Sequence, residues 1–181
     1  MSSRYLIPLA VAAALAAPVA ANAQEGTYDP GKWLVRVGFS QLNPDSYNLD
    51  LGNGTAIVAD SDISPTATVE YMITPHLGTE LLVAWPFTHG IDLKPEGGPD
   101  TRIAQTDHLP PTLSLVWRPF DDKATFQPYV GVGVNYTMFF NEELRNAPNG
   151  VDLSLDDSVG PAAVIGTDIA LGEDKKWFLN A

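Results

Sequence analysis

Phe126-Gln127-Pro128-Tyr129-Val130-Gly131-Val132-Gly133-Val134-Asn135-Tyr136-Thr137-Met138-Phe139-Phe140 is the stretch whose reading decides the fold. Its even positions carry Phe, Pro, Val, Val, Val, Tyr, Met and Phe. Its odd positions up to Thr137 carry Gln, Tyr, Gly, Gly, Asn and Thr. Side chains that alternate in this way over so long a run describe a β-strand with two unlike faces, one bulky and apolar, the other small or hydrogen-bonding. Function turns on which face looks inward.

The same period recurs on both sides of this stretch. Trp33, Val35, Val37 and Phe39 alternate with Leu34, Arg36, Gly38 and Ser40. Ala67, Val69, Tyr71 and Ile73 alternate with Thr66, Thr68, Glu70 and Met72. After the tight turn Thr74-Pro75-His76, Leu77, Thr79, Leu81, Val83, Trp85 and Phe87 oppose Gly78, Glu80, Leu82, Ala84 and Pro86. A fourth strand sets Leu109, Pro111, Leu113, Leu115 and Trp117 against Pro110, Thr112, Ser114, Val116 and Arg118, with the adjacent prolines expected at its loop end, beyond the paired region. After the opening stretch, a sixth strand runs from Ser158 to Ile169, and Trp177 begins a seventh. Between them, Asn43–Asp62, His89–Asp107 and Asn141–Asp156 read as long polar loops, alternating with short turns. Strands of about ten residues joined by alternately long and short connections are the signature of an outer-membrane β-barrel.

Alternation alone also fits a soluble barrel with an apolar inside. Residue size separates the two. Gly38, Ser40, Thr66, Thr68, Gly78, Ala84, Thr112, Ser114, Gly131, Gly133, Gly160, Ala162 and Gly166 suit the narrow interior of a small barrel, whereas the Trp, Phe and Tyr of the other face would overfill it. The aromatics also sort to strand ends. Trp33, Tyr71, Trp117 and Phe126 lie near the short turns and Trp85, Phe87, Tyr136 and Phe140 near the long loops, with an aliphatic band between, as two membrane interfaces require. The expected lipid-facing girdle is therefore Trp33, Tyr71, Trp85, Phe87, Trp117, Tyr136 and Phe140. An antiparallel, up-and-down transmembrane β-barrel is the predicted fold. Because no backbone group can stay unpaired in lipid and such barrels start at eight strands, the six and a half strands present here read as a C-terminally truncated part of an eight-stranded protein.

Composition narrows the function. The 181 residues carry 10 basic and 22 acidic side chains, a formal charge of −12, which excludes a phosphate-binding surface and with it nucleic acid. The absence of Cys removes thiol nucleophiles, disulfides and Cys-ligated metals. Arg4, the apolar run Leu6–Val19 and Ala21-Asn22-Ala23 read as an export signal over residues 1–23, leaving 24–181 as one barrel domain.

Several stretches together are similar to the OmpW family of outer-membrane proteins. They are Gly31-Lys32-Trp33-Leu34-Val35-Arg36-Val37-Gly38, Glu80-Leu81-Leu82-Val83-Ala84 with Pro86-Phe87 and His89, His108-Leu109-Pro110-Pro111-Thr112-Leu113, and Pro128-Tyr129-Val130-Gly131-Val132-Gly133-Val134-Asn135-Tyr136-Thr137. Val159 departs from the family's usual Trp after Asp-Ser. The resemblance implies an eight-stranded barrel in the bacterial outer membrane that passes small hydrophobic molecules.

The inward face is expected to place Arg36, Glu70, Glu80, Arg118 and Asp168 in the lumen, where charges persist only if paired or wet. A structural ion-pair network follows, not a catalytic carboxylate pair. Leu82, Val116 and Val164 make the same face locally apolar, and Thr112, Gly131, Gly133 and Asn135 complete the lumen lining, the two glycines opening room. His89 and His108 flank the second loop, near Asp92 and Asp107, and are read as solvated rim residues. No metal, cofactor or catalytic residue is assigned. The expected surroundings are outer-membrane lipid and lipopolysaccharide, and the expected solutes are small and hydrophobic. A surface barrel acting as receptor, adhesin or stress-linked envelope protein, and a soluble lipocalin-like binder, are the alternatives.

Overall fold

The computed structural model describes residues 14–18, 26–44, 49–50, 54–120, 124–145, 154–172 and 175–181. Among the described residues all regular structure is strand. The strands are β1 (Ala14–Pro18), β2 (Trp33–Leu42), β3 (Leu49–Asp50), β4 (Thr55–Ala59), β5 (Asp62–Thr74), β6 (Leu77–Ala84), β7 (Phe87–Pro95), β8 (Thr101–Leu109), β9 (Thr112–Trp117), β10 (Phe126–Leu144), β11 (Ser158–Leu171) and β12 (Trp177–Asn180). A wall of antiparallel neighbours runs β2-β5-β6-β9-β10-β11-β12.

The wall curls until its two ends approach, because the Arg36 guanidinium on β2 donates to the Asp168 carboxylate on β11 at 2.7 and 3.0 Å. Among the described residues it does not close into a complete ring. β12 pairs with β11 alone, and the free edge of β2 is taken by β1, with Ala14 opposite Ser40 and Pro18 opposite Arg36. β1 lies in the apolar run read as an export signal. While attached to the chain, it covers an edge that would otherwise present bare backbone groups.

Orientation resolves the ambiguity left by alternation. Ile165 is 84% exposed, and Trp33, Phe39, Trp85, Leu113, Leu115, Trp117, Val130, Val132 and Val134 are exposed with it, while Leu34, Met72, Val116, Tyr129 and five charged side chains are buried. The bulky apolar face is outside, the arrangement a bilayer selects and water opposes.

Two of the predicted loops are extended sheet. His89–Asp107 is a hairpin, β7 against β8. Asn43–Asp62 contributes β3 and β4, with β4 pairing β7. β10 continues past the wall to Leu144, pairing β9 with its first half and β8 with its second. Polar, turn-rich composition signalled a loop at these positions, but a hairpin projecting beyond the membrane has water on it and needs no apolar stripe. The adjacent prolines likewise lie between β8 and β9, with the strand resuming on both sides of them.

Candidate functional site

The lower half of the interior is a packed ionic floor. Five strands supply one charged residue each: Arg36 from β2, Glu70 from β5, Glu80 from β6, Asp168 from β11 and, one residue past β9, Arg118. Glu70 stands opposite Glu80 in the ladder, and Arg36, two residues along β2 from Leu34, the other partner of Glu70, reaches both. Arg36 donates to Glu70 at 3.0 Å, Glu80 at 3.0 Å and Asp168 at 2.7 Å. Arg118, with 0% exposure, donates through both terminal nitrogens to Glu70, one of them at 2.7 Å, and lies 3.4 Å from Asp168.

Residues outside the predicted set complete the floor. The Tyr28 hydroxyl donates to Asp168 at 3.2 Å, and the Asn180 amide donates to Asp168 at 2.8 Å and to the Tyr129 hydroxyl at 2.9 Å. The Arg118 guanidinium lies 5.0 Å from the ring centres of both Tyr28 and Tyr129, and Arg36 lies 5.4 Å from Phe178. Planar guanidinium groups suit this setting, since they can hold carboxylates edge-on while stacking on rings. Tyr129 was detectable in sequence as a large ring among the Gly, Asn and Thr of the small face of β10; Tyr28, which precedes β2, gave no periodic signal.

The glycines do not open room. A Cβ on Gly131 would come within 2.5 Å of the Leu115 carbonyl oxygen and 2.7 Å of Val164 Cγ1, and one on Gly166 within 2.5 Å of the Tyr129 hydroxyl. They let neighbouring strands and the Tyr129 ring approach closely. Val116 is fully buried beside them. Above the floor, Leu82 and Val164 are half-buried, and at the top of the wall Asn135 donates to Thr112 Oγ1 at 2.8 Å while accepting from Thr137 at 2.7 Å.

At that upper level the wall is interrupted. β6 pairs β9 as far as Leu82 opposite Thr112, and β7 pairs β8 from Phe87 opposite His108. Among the described residues, 83–86 and 109–111 form no cross-strand pair with one another. Pro86, Pro110 and Pro111 have no N–H to leave bare. Three carbonyls are also answered: Ser64 Oγ donates to the Trp85 oxygen at 2.8 Å, Asn135 to the Pro110 oxygen at 3.1 Å, and the Tyr136 N–H to the Pro111 oxygen at 3.0 Å. A gap with three donors fewer and these carbonyls bonded costs less against lipid than an ordinary unpaired edge.

The break at Pro86 also shifts the alternation. Trp85 points outward, whereas Phe87, expected in the lipid girdle, is 2% exposed and stacks on His108 at 5.7 Å. That expectation is corrected: a proline that cannot join the ladder let the strand lose phase by one residue. Trp33, Trp85, Trp117 and Tyr136 are exposed on the outer face, and Tyr71 and Phe140 are half-buried. Trp33 and Tyr71 meet at a tilt, with ring centres 4.9 Å apart.

The histidines are not solvated. His89 is 4% and His108 6% exposed, their rings stacked at 4.7 Å between Phe87 and Phe139. Burial, and then the neighbouring His89, push the His108 imidazole down to about 4 from its ordinary 6.5. The flanking carboxylates are committed elsewhere. Asp60 accepts from the Gly90 N–H at 2.6 Å and from Arg102 at 2.8 Å, and Asp107 accepts from Thr88 at 2.6 Å.

A model described as the OmpW family matches residues 29–181. Outer membrane protein W of Vibrio cholerae is 40% identical over 179 residues, covering 96% of this chain and 79% of that protein. Outer membrane protein W of Escherichia coli is 34% identical over 174 residues, covering 93% and 78%. The crystal structure of the outer membrane protein OprG from Pseudomonas aeruginosa superposes with a TM-score of 0.69 at 37% identity, over 81% of this chain and 74% of that one.

Proposed function

Because this chain belongs to the OmpW family and is a protein of the bacterial outer membrane, we propose that its barrel carries small hydrophobic molecules from outside into the membrane, by a route that leaves sideways through the wall. The observation that carries this reading is the interruption between 83–86 and 109–111, standing directly above a filled floor. A solute entering from the outer end meets Leu82 and Val164 and then the packed charges of Arg36, Glu70, Glu80, Arg118 and Asp168, which an apolar molecule gains nothing by displacing. The proline-lined gap is the way out that breaks no ladder hydrogen bond.

The test is uptake of the apolar fluorophore phenylnaphthylamine by vesicles that carry the protein and a lipopolysaccharide outer leaflet. Uptake should exceed that of protein-free vesicles, and Leu82→Asp should slow it about tenfold, the factor that corresponds to about 1.4 kcal/mol, without unfolding the barrel. Unchanged uptake in the variant removes Leu82 from the route. A wild-type barrel that passes nothing leaves the surface-receptor reading standing instead.

A further inference from the structure

His89 and His108 hold two polar atoms that the rest of the molecule leaves without partners. His89 Nδ1 lies 2.5 Å from the Asp60 carbonyl oxygen. A carbonyl only accepts, so Nδ1 carries the proton and Nε2 presents a lone pair. That Nε2 is buried with no hydrogen-bond partner, and so is His108 Nδ1. Both side chains are more than nine-tenths buried, between the rings of Phe87 and Phe139. Two buried nitrogens left without partners inside an aromatic stack are costly to maintain and call for an explanation in function. Their place supplies one, since Phe87 and His108 form the first cross-strand pair above the wall interruption.

We propose that His89 and His108 form a hydrogen-bonding subsite for the hydroxyl end of an otherwise apolar solute, at the upper lip of the gap. The proposal rests on the passage reading above and names its solute class as chain alcohols. A hydroxyl both donates and accepts, so it can donate to His89 Nε2 and accept from His108 with that ring protonated at Nδ1. An alkane answers neither nitrogen. A ketone or ester only accepts and leaves His89 Nε2 bare. A carboxylate would enter beside Asp60, Asp62 and Asp107, where like charge opposes it. The rings of Phe87 and Phe139 meanwhile suit the first methylenes of the chain.

The test uses the protein in nanodiscs, 15N-labelled at histidine, with n-octanol and n-octane as probes. Octanol should move the His89 Nε2 resonance toward the hydrogen-bonded position and octane should not. His89→Phe keeps a ring in the stack and should lower the ratio of octanol to octane affinity about tenfold, the value of one neutral hydrogen bond. An equal response to both probes, or a resonance already at the hydrogen-bonded position because water alone occupies the site, overturns the subsite. So does an unchanged ratio in His89→Phe. Should that variant fail to fold, the wild-type resonances decide. Absence of phenylnaphthylamine uptake overturns the passage reading separately, since the nitrogen response does not depend on flux.

Discussion

Arg118→Met probes the floor of the barrel most directly. Arg118 and Glu70 are both fully buried, and two of the three links that hold the Glu70 carboxylate come from Arg118, the third from Arg36 at 3.0 Å. Methionine fills the space of the side-chain stem and removes the charge, leaving Glu70, Glu80 and Asp168 to share one guanidinium. Removing one partner of a buried pair costs about 3–5 kcal/mol, mainly because the other charge stays buried without compensation. The ring contacts to Tyr28 and Tyr129 are lost in the same step and belong within that range, since neighbours in one cluster do not add. If uncompensated charge is the cause, Glu70→Gln on the Arg118→Met background should recover at least about 1 kcal/mol. Urea unfolding in the presence of lipid vesicles measures both, and Trp33, Trp85 and Trp117 on the outer face report the loss of lipid contact. A loss below about 1 kcal/mol for Arg118→Met, or a double variant weaker than the single one, would refute the account of the floor as a charge-paired unit.

Val132→Arg, on the exposed aliphatic band, should cost about 2–4 kcal/mol in the same urea assay, and Thr112→Arg, on the inner face, distinctly less; the opposite order would mean that the outer surface does not meet lipid. Stability should also fall on acidification through His108. Its folded state holds the proton less tightly than the unfolded chain, so its contribution is fully present above pH ~6.5 and is lost as pH drops toward 4. A change of that size at a buried site is worth on the order of 3 kcal/mol, read as the difference in urea midpoints between neutral and acid pH. His108→Phe should flatten that difference, and an unaltered pH profile in the variant would mean that other groups carry it.

What sequence could and could not reach follows from the range of each interaction. Alternation is local, and Val130, Val132 and Val134 against Gly131, Gly133 and Asn135 already separate a bulky surface from a narrow inside. The same local rule put Arg36, Glu70, Glu80, Arg118 and Asp168 on one face of their strands. It could not say that β2 and β11 curl far enough for Arg36 to reach Asp168, because that distance depends on the curvature of the whole wall. Nor could it reveal Asn180 joining the same carboxylate. Phe87 was misplaced for a different reason, since a period counted through Pro86 assumes a ladder in which that residue cannot take part. Pro86, which spoiled the counting, faces Pro110 and Pro111 across the unpaired stretch, and the three together leave fewer bare backbone donors there than other residues would. The place where the pattern fails is therefore the place where the barrel departs from a sealed cylinder. The two histidines with unanswered nitrogens lie at that departure.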